Sequence, residues 1–297
     1  MAHTLFTAEQ AARSTLAALR WLTTLPRTVR QDFSQEFVAG RGQTINVRKP
    51  ITAGAARTYT AANRAARDAI VFDDVTETWV PVTMDTQVYK ALRVPDDFAT
   101  FTLESVERQL LVPAAESVVD ELTAPLVYEM EAIASDTGLE IAADGANALA
   151  VVTKARRILN DRKVPFADRY FAVGTGVAEH LLNLDQLTKV NEAGTDGALR
   201  EGIIGRLRGF TVIEDPALAD DFGVAYHRDA FAHVTRPSRQ PEGAAMSATI
   251  AQDGFALRWL MHYNPLQLED QSVVDTFVGA ATLDANRAVS VTVAAGV

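Results

Sequence analysis

Apolar positions recur every three or four residues in some stretches of this chain and every second residue in others, and these switches divide it into segments. Ala12, Thr15, Leu16, Leu19 and Leu22 share one helical face, Thr7 and Gln10 form a T-x-x-Q capping box, and Pro26 ends the helix. Residues 27–67 are poorly periodic, apart from a short alternation at Thr44–Val47. With Gly40, Gly42, Gly54 and small residues from Ala53 to Ala69, this stretch has too little apolar volume to bury itself and needs a surface to lie against. Residues 70–101 alternate. Val80 and Val82 flank Pro81, and Val88, Lys90, Leu92 and Val94 oppose Tyr89, Ala91 and Arg93. With a turn at Met84-Asp85-Thr86, the pattern predicts a two-stranded excursion carrying Trp79, and Pro81 makes its first strand an edge.

Helical spacing returns at 102–135. Leu103–Leu111 reads as a short helix, and Pro113 fits the first position of a longer one. Val119, Leu122, Leu126, Met130 and Ile133 form a single stripe, with a kink expected at Pro125 and closure at Thr137-Gly138. Such a helix of about 22 residues spans roughly 33 Å. From 146 the pattern is mixed: helices at Ala146–Asn160 and Gly176–Leu184, strands at Arg169–Val173 and Phe210–Glu214, and loose alternation over Tyr226–Val234. Arg236–Gly243, with Pro237 and Pro241, is a linker. Strands follow at Ser247–Ile250, Ala256–Tyr263, Val273–Ala281 and Ala288–Val293. The organisation is α+β.

Charge sharpens this division. The net charge is −10, yet residues 1–67 carry ten Lys or Arg against three acids, while the remainder carries 18 against 35. A basic arm on an acidic body suits two uses: lying on acidic surfaces of neighbouring copies, or facing a polyanion such as packaged DNA. A transit-peptide reading is disfavoured because the basic region runs well past a plausible cleavage point. The absence of cysteine excludes disulfides and thiolate chemistry, and no apolar run is long enough for a spanning helix.

Candidate chemistry is sparse. Gly174-Thr175-Gly176 sits between a strand and a helix as a dinucleotide-binding turn would, but Glu179 stands where the third glycine belongs. Asp221-Phe222-Gly223 and His227-Arg228-Asp229 copy two kinase signatures in reversed order and without their companions. The histidines His3, His180, His227, His233 and His262 show no metal-ligand spacing. The acid pairs Asp73-Asp74, Asp96-Asp97 and Asp220-Asp221 fall in turns, where carboxylates cap or solvate. No catalytic, cofactor-binding or metal residue is assigned.

Three stretches carry a resemblance. Phe101-Thr102-Leu103 followed by Val112-Pro113-Ala114-Ala115, Val119-Asp120 and Leu122 is similar to the segment leading into the spine helix of podophage-type coat proteins. Gly202–Ile213 with Asp215-Pro216-Ala217-Leu218 resembles a strand and turn of their axial domain. Gly254–Gly279, with Ala256–Leu260 and Val273–Thr276, resembles their closing strands. In order and spacing the chain resembles tailed-phage major capsid proteins of the Hong Kong 97-type fold over most of residues 40–290.

That resemblance implies an N-terminal arm (1–44), an extended loop or hairpin (45–101), a peripheral domain with a spine helix (102–145), an axial domain (146–242) and closing strands (243–297). It implies a non-enzymatic subunit that assembles with itself as hexamers and pentamers of an icosahedral shell, in the virion, after assembly in the cytoplasm of a bacterial host. It involves no cofactor and no membrane. Portal and decoration proteins are implied partners, packaged DNA an indirect one. Since only about 45 residues precede the hairpin, a separate scaffolding protein is expected rather than a fused segment. Candidate inter-subunit contacts are Arg41, Arg48, Lys49, Trp79, Pro81, Tyr89 and Arg93. Some relatives crosslink a loop lysine to a neighbour's asparagine. Lys90 is on the expected hairpin, without a context that demands this chemistry. The alternatives are an encapsulin-like compartment shell and, in another class, a nucleotide-binding α/β enzyme using the Gly174–Gly176 turn.

Overall fold

The computed structural model describes residues 24–31, 42–49, 56–72, 74, 78–97, 112–184, 205–243, 246–252 and 254–294, with 9, 12, 13 and 15. The Thr7–Gln10 capping box, the helix expected over Leu103–Leu111 and Arg41 lie outside these residues. In chain order the elements are β1 (Thr44–Arg48), α1 (Ala61–Ala66), β2 (Trp79–Thr83), β3 (Thr86–Pro95), α2 (Val112–Glu131), β4 (Ser135–Ile141) and α3 (Ala148–Asp161). Then come β5 (Arg169–Val173), α4 (Thr175–Leu182), β6 (Arg206–Leu207), β7 (Phe210–Glu214), β8 (Phe222–His227) and β9 (Phe231–Arg236). The last are β10 (Met246–Gln252), β11 (Phe255–Asn264), β12 (Glu269–Thr282) and β13 (Ala288–Val293).

Three sheets result. β1 and β2 form an antiparallel ribbon, with Val47 opposite Val80 and Asn46 opposite Pro81. A five-stranded sheet runs β10-β11-β12-β3, with β9 also on β12, and a six-stranded sheet runs β4-β13-β8-β5-β7-β6. The alternation over 86–95 holds: Val88 and Val94 are buried while Tyr89 and Arg93 face out. The two-stranded excursion does not. β2 and β3 are separate strands on either side of the Met84–Asp85 turn, but β2 pairs with β1 and β3 with β12. The length of β12 is the physical reason, since ten of its residues pair with β3 and satisfy more ladder than β2 could offer.

The long helix α2 joins the two larger sheets. Ala114, Val118 and Leu122 pack with Val88, Phe255, Leu257, Trp259, Val274 and Val278 of the five-stranded sheet. Further along, Leu126, Val127 and Met130 pack with Ala172, Val224 and Tyr226 of the six-stranded sheet, and with Leu25 and Val29. Each fully buried leucine on this stripe contributes roughly 1.5–3 kcal/mol. The helix stops at Glu131, short of the closure expected at Thr137-Gly138, because 135–141 instead form β4, parallel to β13. The opposite face of the six-stranded sheet is covered by α3 and α4, through Val151, Val152, Leu159, Val177 and Leu181 against Phe171, Val173, Ala225, Val289 and Val291.

Sheet membership crosses the order of the chain. Tyr226–Val234 is two strands, not one: a 3-10 turn at Arg228–Ala230 sends β8 into the six-stranded sheet and β9 into the other. A second such turn at Ala285–Arg287 carries β12 into β13. The amides of Leu283 and Asp284 both donate to the carbonyl of Ala230, tying the two crossings together. The six-stranded sheet therefore takes 135–141 and 288–293 from outside the 146–242 block.

Candidate functional site

Between β1 and β2 the chain leaves the body. Lys49 N–H donates to Thr78 C=O at 2.9 Å, closing the ribbon at the point of departure. Of residues 56–72, all but Asn63 are exposed. The short helix α1 within this excursion is held by its own hydrogen bonds. Thr60 and Asn63 form a reciprocal capping box, Tyr59 Oη donates to the carbonyls of Asn63 and Asp68, and Asn63 Nδ2 donates to Asp68 Oδ2. Ile70, Val71 and Phe72 follow with relative exposures of 70%, 64% and 87%. Three consecutive large apolar side chains in water are disfavoured unless another surface covers them.

The expected contact residues do not form one site. Arg48 and Trp79 lie opposite each other at the base of the ribbon, both exposed, and exposed Pro81 lies two residues on. Tyr89 and Arg93 project from β3 on the five-stranded sheet; Arg93 is 3.7 Å from Glu269. Lys49 is engaged within the chain, its Nζ 2.9 Å from Asp284 Oδ1. Lys90 sits opposite Val274 inside the five-stranded sheet, so it is not on the excursion. The apolar triplet at 70–72 falls in the stretch 70–101, whose alternation predicts a two-stranded excursion. The available signal was its isolation between Asp68 and Asp73-Asp74, with no alternating partner positions.

The basic segment meets the acidic body where the chain crosses between sheets. Besides Lys49 on Asp284, Arg287 lies 3.2 Å from Asp229 and 3.3 Å from Asp284, and Arg30 lies 3.9 Å from Asp229. At this crossing, acidic groups of the same chain receive the arm's cations.

The glycine turn is filled. A Cβ on Gly174 would fall 2.0 Å from the carbonyl oxygen of Ala219, and one on Gly176 2.8 Å from that of Asp220. Val177 N–H donates to Asp220 C=O, and Thr175 Oγ1 donates to Asp220 Oδ1 at 2.6 Å. The first turn of α4 thus faces a carbonyl and a carboxylate, an arrangement that repels a pyrophosphate. The kinase-like triplets fall on β8 and its following turn, where Phe222 is core and Gly223 lets Phe171 and Val173 pack close. Among the described residues no group of three His, Asp or Glu converges as a metal site, and no helix is long and apolar enough to cross a membrane.

No family model and no curated protein sequence matches the chain. Solved structures do. A structure from Mycobacterium phage Che8 superposes with a TM-score of 0.68 at 18% identity, covering 91% of this chain and 90% of that one. The mature capsid of bacteriophage PhiM1 gives 0.58 at 13%, covering 87% and 84%. A virus-like particle from Pyrococcus furiosus gives 0.53 at 12%, covering 95% and 98%. The chain has the Hong Kong 97-type fold. α2 is the long helix that packs against both larger sheets, and the excursion lies between β1 and β2. β3 belongs to the five-stranded sheet and not to that excursion.

Proposed function

We propose that this chain is the major capsid protein of a tailed bacteriophage, assembling with itself as hexamers and pentamers into the icosahedral shell that encloses phage DNA. The observation that carries the proposal is the excursion between Lys49 and Thr78, which exposes Ile70, Val71 and Phe72 on a Hong Kong 97-type body. A lone monomer gains nothing from ordering such a loop in water, whereas a neighbour that covers it removes apolar surface from water and supplies the missing stabilisation. In this proposal the six-stranded sheet with α3 and α4 is the axial unit, and the five-stranded sheet with the first half of α2 is the peripheral unit. The extended loop reaches over an adjacent copy, with Arg48, Trp79 and Pro81 at its base. Scaffolding and portal proteins are its partners during assembly.

Electron microscopy of the purified full chain, with and without its neighbouring genes, tests this. Closed shells or sheets of hexamer-like rings are the expected outcome, and a strictly monomeric protein under every condition overturns it. The likeness to a virus-like particle that covers 98% of that chain favours a second reading, an encapsulin-like compartment shell. The contents of particles isolated from their host separate the two: DNA for a capsid, a protein cargo for a compartment.

A further inference from the structure

One corner of the six-stranded sheet concentrates positive charge in a chain whose net charge is −10. It lies where β5 and β7, which run parallel, both begin. Two segments meet there: the loop from α3 to β5, and the tight turn joining β6 to β7. Arg206 and Arg208 are exposed on the second, Lys163 on the first. The Arg156 guanidinium from α3 lies against the turn, its Cζ 3.6 Å from where a Cβ on Gly209 would stand. None of these four cations has an ion-pair partner among the described residues. Of the nearby acids, Asp161 is paired with Arg157 at 3.6 Å, and Asp168 lies on the side facing His227.

A buried arginine builds the corner from beneath. Arg169, only 4% exposed, donates to the carbonyls of Pro165 and Val164 at 2.8 and 2.6 Å and to Asn160 Oδ1 at 2.8 Å. Its guanidinium lies 4.8 Å from the centroid of the Phe166 ring, which is itself 69% exposed. Arg169 is lowered from its usual pKa, first by burial and then by the charge of Arg156. The loop is thereby fixed with an outward aromatic ring over the Arg169 guanidinium.

We propose that this corner binds the phosphate backbone of nucleic acid. Guanidinium groups match phosphate oxygens bidentately, and cations left without carboxylate partners are free to take them. The exposed Phe166 ring adds a stacking platform for an unpaired base, which a duplex does not offer. Beyond the basic first 67 residues the chain is acidic and repels polyanions, so within that body binding concentrates here instead of spreading over the surface. The inference stands apart from the shell proposal, because it concerns the full chain whether or not shells form.

The test is fluorescence anisotropy of a labelled oligonucleotide, single-stranded and as a duplex, titrated with the full chain over a range of salt. Arg208 has φ +48°, a conformation glycine adopts without strain, so R206A/R208G removes two cations with little risk to the fold. It should weaken binding about tenfold at low salt and lower the slope of log K against log salt by about 2. R156Q, read against its own denaturation midpoint, should act in the same direction. F166A should weaken the single strand and leave the duplex unchanged if unpaired bases are the natural occupant, and leave both unchanged if the duplex is. Polyglutamate at matched charge should fail to displace the oligonucleotide. Unchanged affinity and slope in both arginine variants, or equal displacement by polyglutamate, overturns the proposal. Shell formation, followed separately by microscopy, keeps its failure distinct from failure of the capsid reading.

Discussion

Nε2 of His233 stands 3.1 Å from the carbonyl oxygen of Leu122, three residues before Pro125 on α2. A carbonyl only accepts, so Nε2 carries the proton and Nδ1 does not, and Nδ1 is buried without a partner. Pro125 has no N–H to offer the carbonyl of Glu121, and its ring crowds that turn. The sheet thus supplies a donor to the helix beside its weakest turn. His233 is fully buried against Phe255, with ring centroids 6.5 Å apart.

Burial holds that imidazole neutral and lowers its pKa to about 4 from the usual 6.5. As pH falls, the unfolded chain therefore takes up the proton before the folded one does. The stability contributed is complete above pH 6.5 and is lost progressively down to pH 4, a change of roughly 3 kcal/mol. H233Q keeps a donor near Leu122 but cannot titrate. Urea unfolding of H233Q should show a shallower fall in stability across that window than the parent. The remaining slope includes His227, which burial lowers in the same direction.

Asp275 is 1% exposed and accepts from Arg258 Nε at 2.7 Å and Nη2 at 3.0 Å, from Gln87 Nε2 at 2.7 Å, and from the Ser238 hydroxyl. This carboxylate ties three strands' neighbourhoods and the linker after β9 into one network. R258A should cost about 3–5 kcal/mol, since it strips the counter-charge from a buried carboxylate. Replacing both residues with apolar ones of similar volume should cost less than R258A alone, as measured by chemical denaturation.

Gly279 on β12 passes so close to the end of the ribbon that a Cβ there would lie 2.2 Å from the carbonyl oxygen of Thr83. Because the obstacle is backbone, G279A should destabilise by about 1–3 kcal/mol. The shift in denaturation midpoint measures it directly.

The Lys49–Asp284 pair is partly exposed, at 29% and 10%. K49M should therefore cost only about 1 kcal/mol or less. It should nonetheless accelerate proteolytic cutting between residues 49 and 78, because the pair anchors the base of the excursion.

Phe72 is 87% exposed, so F72D should leave the stability of the isolated chain within about 0.5 kcal/mol of the parent. Under the proposed function the same change, combined with V71D, abolishes or deforms shells in electron micrographs. Normal shells from that double variant would count against the role given to the loop.

Local pattern was enough to read the α+β class, the alternating faces of β3, the apolar stripe of α2 and the linker after β9. Each is a property of side chains a few residues apart, and periodicity records which side of an element meets the core. The resemblance to the shell fold rested on the order of such elements, and the superposed structures carry that fold. What periodicity does not record is the partner. Ser135–Ile141 has little alternation and became a strand because β13, over 140 residues later, offered it a parallel ladder. Likewise β2 and β3, adjacent in sequence and both alternating, took different partners. The close approach of Lys49 and Arg30 to acids at the sheet crossing, and of Arg156 to the β6–β7 turn, depends on where those ladders place distant segments. Hydrogen-bond pairing between strands is satisfied equally well by many registers and neighbours, so only the packed tertiary structure chose among them.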